Sequence, residues 1–283
     1  HNMFLEIQEL CQYWKLRLIE YISEKDYLYI KNKILKNNEY TKLQLANKKL
    51  VEKINSKFES VYNSILLNYP LQYIFEEAYF LDLVLFVDER VLIPRPETEE
   101  LVVFILEADI PAEKTKVLDI GTGSGCIPIS LARKRPHWQI ESIDTSTQAL
   151  EVAKINAEKY KTASVLFKNI DFLTEKDQLG TYDLIVSNPP YISKEEMPKM
   201  DRSVIDFEPS IALFTESDPL EFYRHIAEFA ETNLNQNGSI FCEINEYYGL
   251  ETKAIFERKF SSVEIKKDMQ GKDRILIIEN SEK

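Results

Sequence analysis

The chain has 283 residues, 44% apolar and 29% charged, which suits a soluble globular protein of about two domains and excludes a largely disordered one. Its net charge of −12 is uneven, +1 over residues 1–80 and −13 over the rest; that balance disfavours a general nucleic-acid grip, and no run reaches the roughly 18 apolar residues of a membrane span. Three distant cysteines (Cys11, Cys126, Cys242) suit a reducing, cytoplasmic setting, His1-Asn2 before Met3 reads as an expression scar, and the remaining His137 and His225 give no basis for a metal site.

From Phe4 to Ile22 the positions Ile7, Leu10, Cys11, Trp14, Leu18 and Ile22 recur every three or four residues, the spacing of one helix face. Shorter and longer versions of the pattern follow over Tyr27–Leu35 and Thr41–Leu67, the last with Leu43, Leu45, Leu50, Ile54, Phe58, Val61 and Ile65 inward. Residues 1–75 are therefore expected to form a small helical domain. Between Glu77 and Ile93, alternation at Tyr79, Leu81, Leu83, Leu85 and Val87 and a turn signal at Asp88-Glu89 predict a β-hairpin over residues 76–93, placed as a linker.

From residue 94 to 283 short apolar runs alternate with helical patterns. Seven strands are predicted, over Lys116–Ile120, Gln139–Asp144, Ser164–Lys168, Tyr182–Ser187, Ser239–Glu243, Ser262–Lys267 and Arg274–Glu279. Helices are predicted over Gly125–Lys134, Thr147–Tyr160, Pro219–Asn233 and Tyr248–Lys259. This is an α/β pattern with a mostly parallel sheet. The connection Asp268–Asp273 is too short for a helical crossover, so the last two strands should pair antiparallel.

Two motifs carry chemistry. In Val117-Leu118-Asp119-Ile120-Gly121-Thr122-Gly123-Ser124-Gly125 a strand runs into a glycine-rich turn that opens a helix, the geometry that lets a ligand approach backbone. Asp144 ends the next strand, 19 residues after Gly125, where a carboxylate can accept both ribose hydroxyls of a nucleoside. Asp119, just before the glycines, is unfavourable beside a pyrophosphate but suits a cofactor with an ammonium group. That combination favours S-adenosylmethionine (AdoMet) over a nicotinamide dinucleotide. Asp171-Phe172, after the third strand, offers an acceptor and an aromatic face for adenine.

The second motif is Ser187-Asn188-Pro189-Pro190-Tyr191, directly after the strand Leu184-Ile185-Val186. Consecutive prolines remove two N–H donors and leave carbonyl acceptors. With the Asn188 amide and the Tyr191 ring, they suit a planar group bearing an NH2.

Asn-Pro-Pro-Tyr after such a glycine loop resembles the amino-methyltransferases. Pro70-Leu71-Gln72-Tyr73-Ile74-Phe75, Val91-Leu92-Ile93-Pro94-Arg95-Pro96-Glu97-Thr98-Glu99, Phe207-Glu208-Pro209-Ser210-Ile211-Ala212-Leu213-Phe214, Phe222-Tyr223-Arg224 and Gly271-Lys272-Asp273-Arg274 are similar to the peptide chain release factor N5-glutamine methyltransferases (the PrmC/HemK family). The likeness runs from about Pro70 onward. It implies a Rossmann-like class I AdoMet-dependent methyltransferase domain over residues 94–283, preceded by a helical substrate-recognition domain. It also implies transfer of a methyl group to the side-chain amide of a glutamine in the Gly-Gly-Gln loop of a class 1 release factor, with S-adenosyl-L-homocysteine as product. A cytoplasmic monomer is expected, without direct nucleic-acid or membrane contact.

In this reading Asp119, Gly121, Thr122, Gly123, Ser124, Gly125, Asp144, Asp171, Phe172 and Asn188 hold the cofactor. Asn188, Pro189, Pro190 and Tyr191 bind and align the substrate, with Arg95 and Glu97 at the mouth; Asn188 Oδ1 and the Pro189 carbonyl accept the two amide N–H groups. Thr98 is expected to cap the following helix, and Glu208-Pro209 to support the Asn188 loop. The rival reading is an N6-adenine DNA or RNA methyltransferase using the same loop on a flipped base; a noncatalytic AdoMet-binding module is the other alternative. The sequence departs from the family pattern at Glu76, where a Gly is usual, at Asn245-Glu246, where Glu-Ile is commonly followed by Gly, and at Phe172, where some relatives have Trp.

Overall fold

The computed structural model describes residues 3–36, 48–113, 115–215 and 218–281. Its chain divides into two compact units, His1–Phe75 and Glu76–Lys283.

The smaller unit is helical: α1 (Met3–Leu18), α2 (Glu24–Leu35), α3 (Lys48–Leu66) and α4 (Leu71–Phe75). The expected periodicity becomes its core, with Ile7, Cys11, Trp14, Leu18, Tyr27, Ile30, Ile34, Ile54, Phe58 and Val61 in one buried cluster. Trp14 stacks on Phe58 and donates its indole N–H to Asn55 Oδ1 at 2.9 Å, so the ring is buried without an orphaned donor. The first helix ends at Leu18, four residues before Ile22, and Ser23 then caps α2 by accepting the Asp26 N–H at 3.1 Å. Leu43 and Leu45 lie outside the described residues.

The larger unit begins with β1 (Glu77–Phe80) and β2 (Leu83–Phe86), then α5 (Pro96–Glu107), β3 (Lys116–Ile120), α6 (Cys126–Lys134), β4 (Gln139–Asp144), α7 (Thr147–Lys159), β5 (Val165–Asn169), α8 (Phe172–Glu175) and β6 (Tyr182–Ser187). The short helices α9 (Arg202–Phe207) and α10 (Ser210–Leu213) follow, then α11 (Glu221–Asn233), β7 (Leu234–Glu243), α12 (Gly249–Glu257), β8 (Ser262–Lys267) and β9 (Asp273–Glu279). The seven-stranded sheet has the order β5-β4-β3-β6-β7-β9-β8. Its first five strands are parallel, and β9 runs antiparallel to both β7 and β8. The α/β class, the parallel sheet and the antiparallel final pair are all as the sequence predicts.

Each central strand is apolar on both sides, as burial on both faces requires. Leu118, Ile185, Ile240 and Cys242 share one core with Tyr223, Ile226 and Phe256 of α11 and α12. Val117, Leu184, Val186 and Phe241 share the other with α5, α6 and the β1–β2 hairpin.

Two strand expectations need correction. The hairpin turns at Leu81-Asp82, with Phe80 opposite Leu83, and not at Asp88-Glu89. A two-residue turn shifts the parity of the inward face, so Ala78 and Phe80 are buried before it and Leu83, Leu85 and Val87 after it. Tyr79 and Leu81 are on the exposed side. No Asn-Gly or Asp-Gly pair marks this turn; Leu81 itself takes φ 51°. The hairpin is also built into the larger unit, its Phe80, Leu83 and Leu85 sharing a core with α5 and α6. The second correction is β7, which starts at Leu234 and not Ser239; its pairing is irregular, with Tyr182 opposite Leu234 but Leu184 opposite Ser239, and Asn237 takes φ 63°. A Cβ at Gly238 would lie 2.7 Å from Leu234 Cδ1 and 2.9 Å from Asp183 O, so only glycine passes there.

The departure at Glu76 has a structural consequence. Its φ is 53°, the left-handed region in which a side chain costs about 1–2 kcal/mol and glycine almost nothing. Glu76→Gly is therefore expected to stabilise the fold by about 1 kcal/mol and to raise Tm by about 2–4 °C. A thermal scan showing a lower Tm would contradict the strain.

Candidate functional site

The strand order reverses between β3 and β6, the position where open α/β sheets bind ligands beyond their strand ends. Parallel pairing sets Ile120 beside Ser187, and the Ser187 hydroxyl donates to Ile120 O at 3.1 Å. The glycine loop and the Asn-Pro-Pro-Tyr loop thus leave the sheet side by side.

The glycines of the first loop have separate reasons. Gly121 and Gly123 take φ 82° and 52°, and a Cβ on either would meet nothing within 4 Å; both line a cavity of about 390 Å³, a volume typical of small-molecule sites. Gly125 instead serves packing: its Cβ would lie 2.9 Å from Ile129 and 3.4 Å from Ala153. Asp144 braces the loop, accepting from the Gly123 N–H at 3.0 Å with one oxygen and from the Ser146 N–H at 2.9 Å with the other. Asn156 donates to Ser124 O and to Phe86 O, each at 2.9 Å, which ties the loop to the hairpin.

Of the sequence-predicted cofactor residues, Gly121, Thr122, Gly123, Ser124, Asp144, Asp171, Phe172 and Asn188 line this cavity. Asp171 caps α8 through one oxygen, accepting the Leu173 N–H at 3.0 Å. Phe172 is only 2% exposed, its ring held against Phe222 and Phe229, so it contributes little open face. Asp119 and Gly125 are not in the lining. Asp119 is fully buried beneath the loop and accepts the Ser142 hydroxyl at 2.5 Å. Its Oδ1, like Thr122 Oγ1, is buried without a hydrogen-bond partner. Burial pushes the Asp119 carboxyl up to about 7, opposed by the Ser142 bond.

A second cavity of about 330 Å³ shares Leu92, Arg95, Asn188, Pro189 and Ala212 with the first and adds Tyr191, Met200, Asp201, Val204 and Glu243. Pro190 faces only the first; Tyr191 faces only the second. Glu97 lines neither, whereas its neighbour Thr98 reaches the first.

Thr98 is not the helix cap; α5 starts at Pro96 after Arg95, whose side chain makes no capping bond. Its hydroxyl donates to Glu243 Oε1 at 2.7 Å and accepts from Asn188 Nδ2 at 3.2 Å. Glu243 Oε2 accepts from the Tyr191 hydroxyl at 3.3 Å, and Tyr191 accepts from Arg274 Nη1 at 3.3 Å. Arg274 is in turn held by Asp268 at 3.2 Å. Burial raises Glu243 to about 7, countered by Thr98 and Arg274. Sequence reasoning missed Thr98, Glu243 and Arg274 as one group, since strand, helix and turn bring them together from separate segments. The only available signal was that Thr98, Glu243 and Arg274 all fall in or beside segments that carry the family resemblance.

Two supports differ from expectation. Glu208 holds the Ile93–Arg95 wall, accepting from Arg95 Nη2 at 2.8 Å and the Ile93 N–H at 3.1 Å, and makes no such bond to Asn188. Asn245, one of the departures, donates to Tyr191 O at 3.0 Å and to Glu196 at 3.1 Å while capping Tyr247 N–H. It anchors the Tyr191 loop where the family pattern has a glycine.

A seven-stranded, mostly parallel sheet with these two loops at its switch point defines a class I methyltransferase, and residues 98–206 match the family model "Methyltransferase small domain". Solved structures share the fold: a methyltransferase from Pyrococcus furiosus (TM-score 0.54, 17% identity, 81% of this chain and 99% of that one) and the human Mettl16 catalytic domain in complex with an RNA hairpin (TM-score 0.54, 20% identity, 70% and 74%). Sequence relatives are closer. The release factor glutamine methyltransferase of Lactococcus lactis is 44% identical over 85% of this chain and 88% of its own length. That of Streptococcus pneumoniae is 36% identical over 98% and 100%. The chain belongs to the release factor glutamine methyltransferase family.

The two buried carboxyls set a pH dependence. Asp119 and Glu243 both have folded values near 7, above their unfolded ones, so the fold binds more protons than the unfolded chain between roughly pH 4 and 7. Stability of the ligand-free protein should fall as pH rises through 7. Asp119→Asn should make that decline shallower; an unchanged slope of Tm between pH 5 and 8 would rule out the buried titration.

Proposed function

We propose that this enzyme transfers the methyl group of AdoMet to the side-chain amide nitrogen of a glutamine in the Gly-Gly-Gln loop of class 1 release factors. The observation that carries the reading is the shared wall of the two cavities. Asn188 and Pro189 border both, as an acceptor set must if cofactor and substrate are to meet there.

The residues of the first cavity fit AdoMet. The open faces of Gly121 and Gly123 leave room for close approach, and Asp144 keeps lone pairs beyond its loop bonds for ribose hydroxyls. Asp171 retains an oxygen for the adenine amino group. Asp119, with its orphaned Oδ1, lies beneath the glycines, where a bound ammonium group would favour its ionised form. When bound, AdoMet supplies an electrophilic sulfonium methyl.

The chain's own contribution is alignment. An amide nitrogen is a weak nucleophile, and holding it in line can supply several kcal/mol, up to roughly 7–11 in the best intramolecular cases. Thr98 takes the Asn188 Nδ2 hydrogen, so Asn188 Oδ1 is the atom left to accept from the substrate NH2. The Pro189 carbonyl is the second acceptor, and the two stabilise positive charge as it develops on nitrogen. Tyr191 packs against the amide plane. Among the described residues, those lining the two cavities belong to the larger unit; we assign the helical unit release-factor contacts outside the glutamine loop.

Mass spectrometry of the Gly-Gly-Gln loop after incubation with AdoMet tests the reading directly, and transfer to DNA or RNA adenine instead would replace it. Asn188→Ala is expected to lower turnover about 10²–10³-fold with AdoMet affinity nearly unchanged; near-normal turnover would remove the amide clamp. Asp144→Ala should weaken AdoMet binding by about 1.5–3 kcal/mol, read by calorimetry, and an unaltered Kd would refute its ribose role.

A further inference from the structure

We propose that Glu243 is a positioning residue for the reaction, acting through the Thr98 hydroxyl to decide which end of the Asn188 amide faces the substrate. The inference deepens the functional reading above and rests on its assignment of Asn188 as the acceptor.

The argument is a count of donors. A threonine hydroxyl has one hydrogen. When Glu243 is ionised it can only accept, so Thr98 gives it that hydrogen, at 2.7 Å. The Thr98 oxygen is then an acceptor toward Asn188, 3.2 Å away, and takes Nδ2. Asn188 Oδ1 is left for the substrate. When Glu243 is protonated on Oε1, it donates to Thr98, the Thr98 hydrogen turns to Asn188, and Oδ1 rotates inward to receive it. The amide NH2 then faces the cavity, where it opposes the NH2 of a glutamine substrate. One proton on a carboxylate that need not touch substrate thus reverses the polarity of the site.

The surroundings make Glu243 the group that changes charge. From β9 it faces Arg274, fixed in place by Asp268, and from the loop after β6 it faces Tyr191. From α5 it faces Thr98 and the negative charge of Glu97. From α6 the Cys126 thiol is close enough to feel its charge, and from α11 the Tyr223 hydroxyl donates to its main-chain carbonyl at 2.5 Å. Burial pushes the Tyr191 and Tyr223 hydroxyls far up and the Cys126 thiol to about 12, so all three stay neutral. Glu243, buried among these neutral hydroxyls and the thiol, crosses near 7.

The test has two readouts on the full chain. In ¹⁵N NMR spectra of the ligand-free protein, the Asn188 side-chain NH2 pair, assigned by its loss in Asn188→Ala, should shift between pH 5.5 and 8.5 along one sigmoidal curve. The curve should vanish in Glu243→Gln and in Thr98→Val and persist in Thr98→Ser. A pair that does not titrate in the wild type, or titrates equally in Glu243→Gln, overturns the proposal whether or not any release factor is methylated. Single-turnover methylation at saturating AdoMet should rise with the same midpoint. Glu243→Gln and Thr98→Val should lose that midpoint and roughly 100-fold in rate at unchanged AdoMet KM, and Thr98→Ser should keep both. A pH-independent wild-type rate overturns the coupling to catalysis, and failure to methylate any release factor, with the NMR titration intact, overturns the functional reading alone.

Discussion

The parallel pairing of β3 with β6 is the constraint from which the site follows. Chain order would separate the two loops by more than sixty residues, yet the register that opposes Ile120 to Ser187 leaves them no other place than the same sheet edge. The Ser187 hydroxyl on the Ile120 carbonyl completes the pair at the point where main-chain ladder bonds stop. Beyond that point the two loops differ in kind. The first is shaped by positive-φ glycines and presents N–H groups and space. The second is shaped by prolines and presents carbonyl oxygens.

Around the second loop the enzyme uses charge sparingly and buries it. Glu243 is 2% exposed, a costly place for a carboxylate unless each oxygen is occupied, and each is: one by Thr98, one by Tyr191. Arg274 balances the cluster without touching Glu243 directly, its contact relayed through the Tyr191 hydroxyl. A network of this kind is rigid because, for a given charge on Glu243, every member has one satisfactory arrangement. Asn245 and Glu208 extend that rigidity outward, the one to the Tyr191 backbone and the other to the Ile93–Arg95 wall.

Most of the sheet was legible in the sequence because buried strands bounded by helices leave a strong period. Lys116–Ile120, Gln139–Asp144, Tyr182–Ser187 and Ser262–Lys267 have the predicted bounds. The hairpin turn was not legible, since Leu81-Asp82 carries no turn chemistry although Leu81 takes the left-handed φ such a turn needs. Nor was the irregularity at Asn237-Gly238, whose need for glycine comes from Asp183 on the neighbouring strand. The same division holds at the site. Residues contiguous in a motif, Gly121–Ser124 and Asn188–Tyr191, line the cavities as neighbours in the chain. Thr98, Glu243 and Arg274 were not legible as a group, because a hydrogen-bond chain across three elements leaves no spacing to read.

The position of β9 has a consequence for the sheet and the site alike. It comes last of the strands in sequence but lies between β7 and β8 in space, so β8 joins the sheet only through β9. The same strand carries Arg274 to Tyr191, 83 residues away along the chain. The outer sheet and the electrostatic completion of the site thus rest on one strand. Without β9 the sheet would end at β7, β8 would have no strand to pair with, and Glu243 would lose the charge relayed from Arg274, so one strand carries both the outer sheet and the electrostatics of the site.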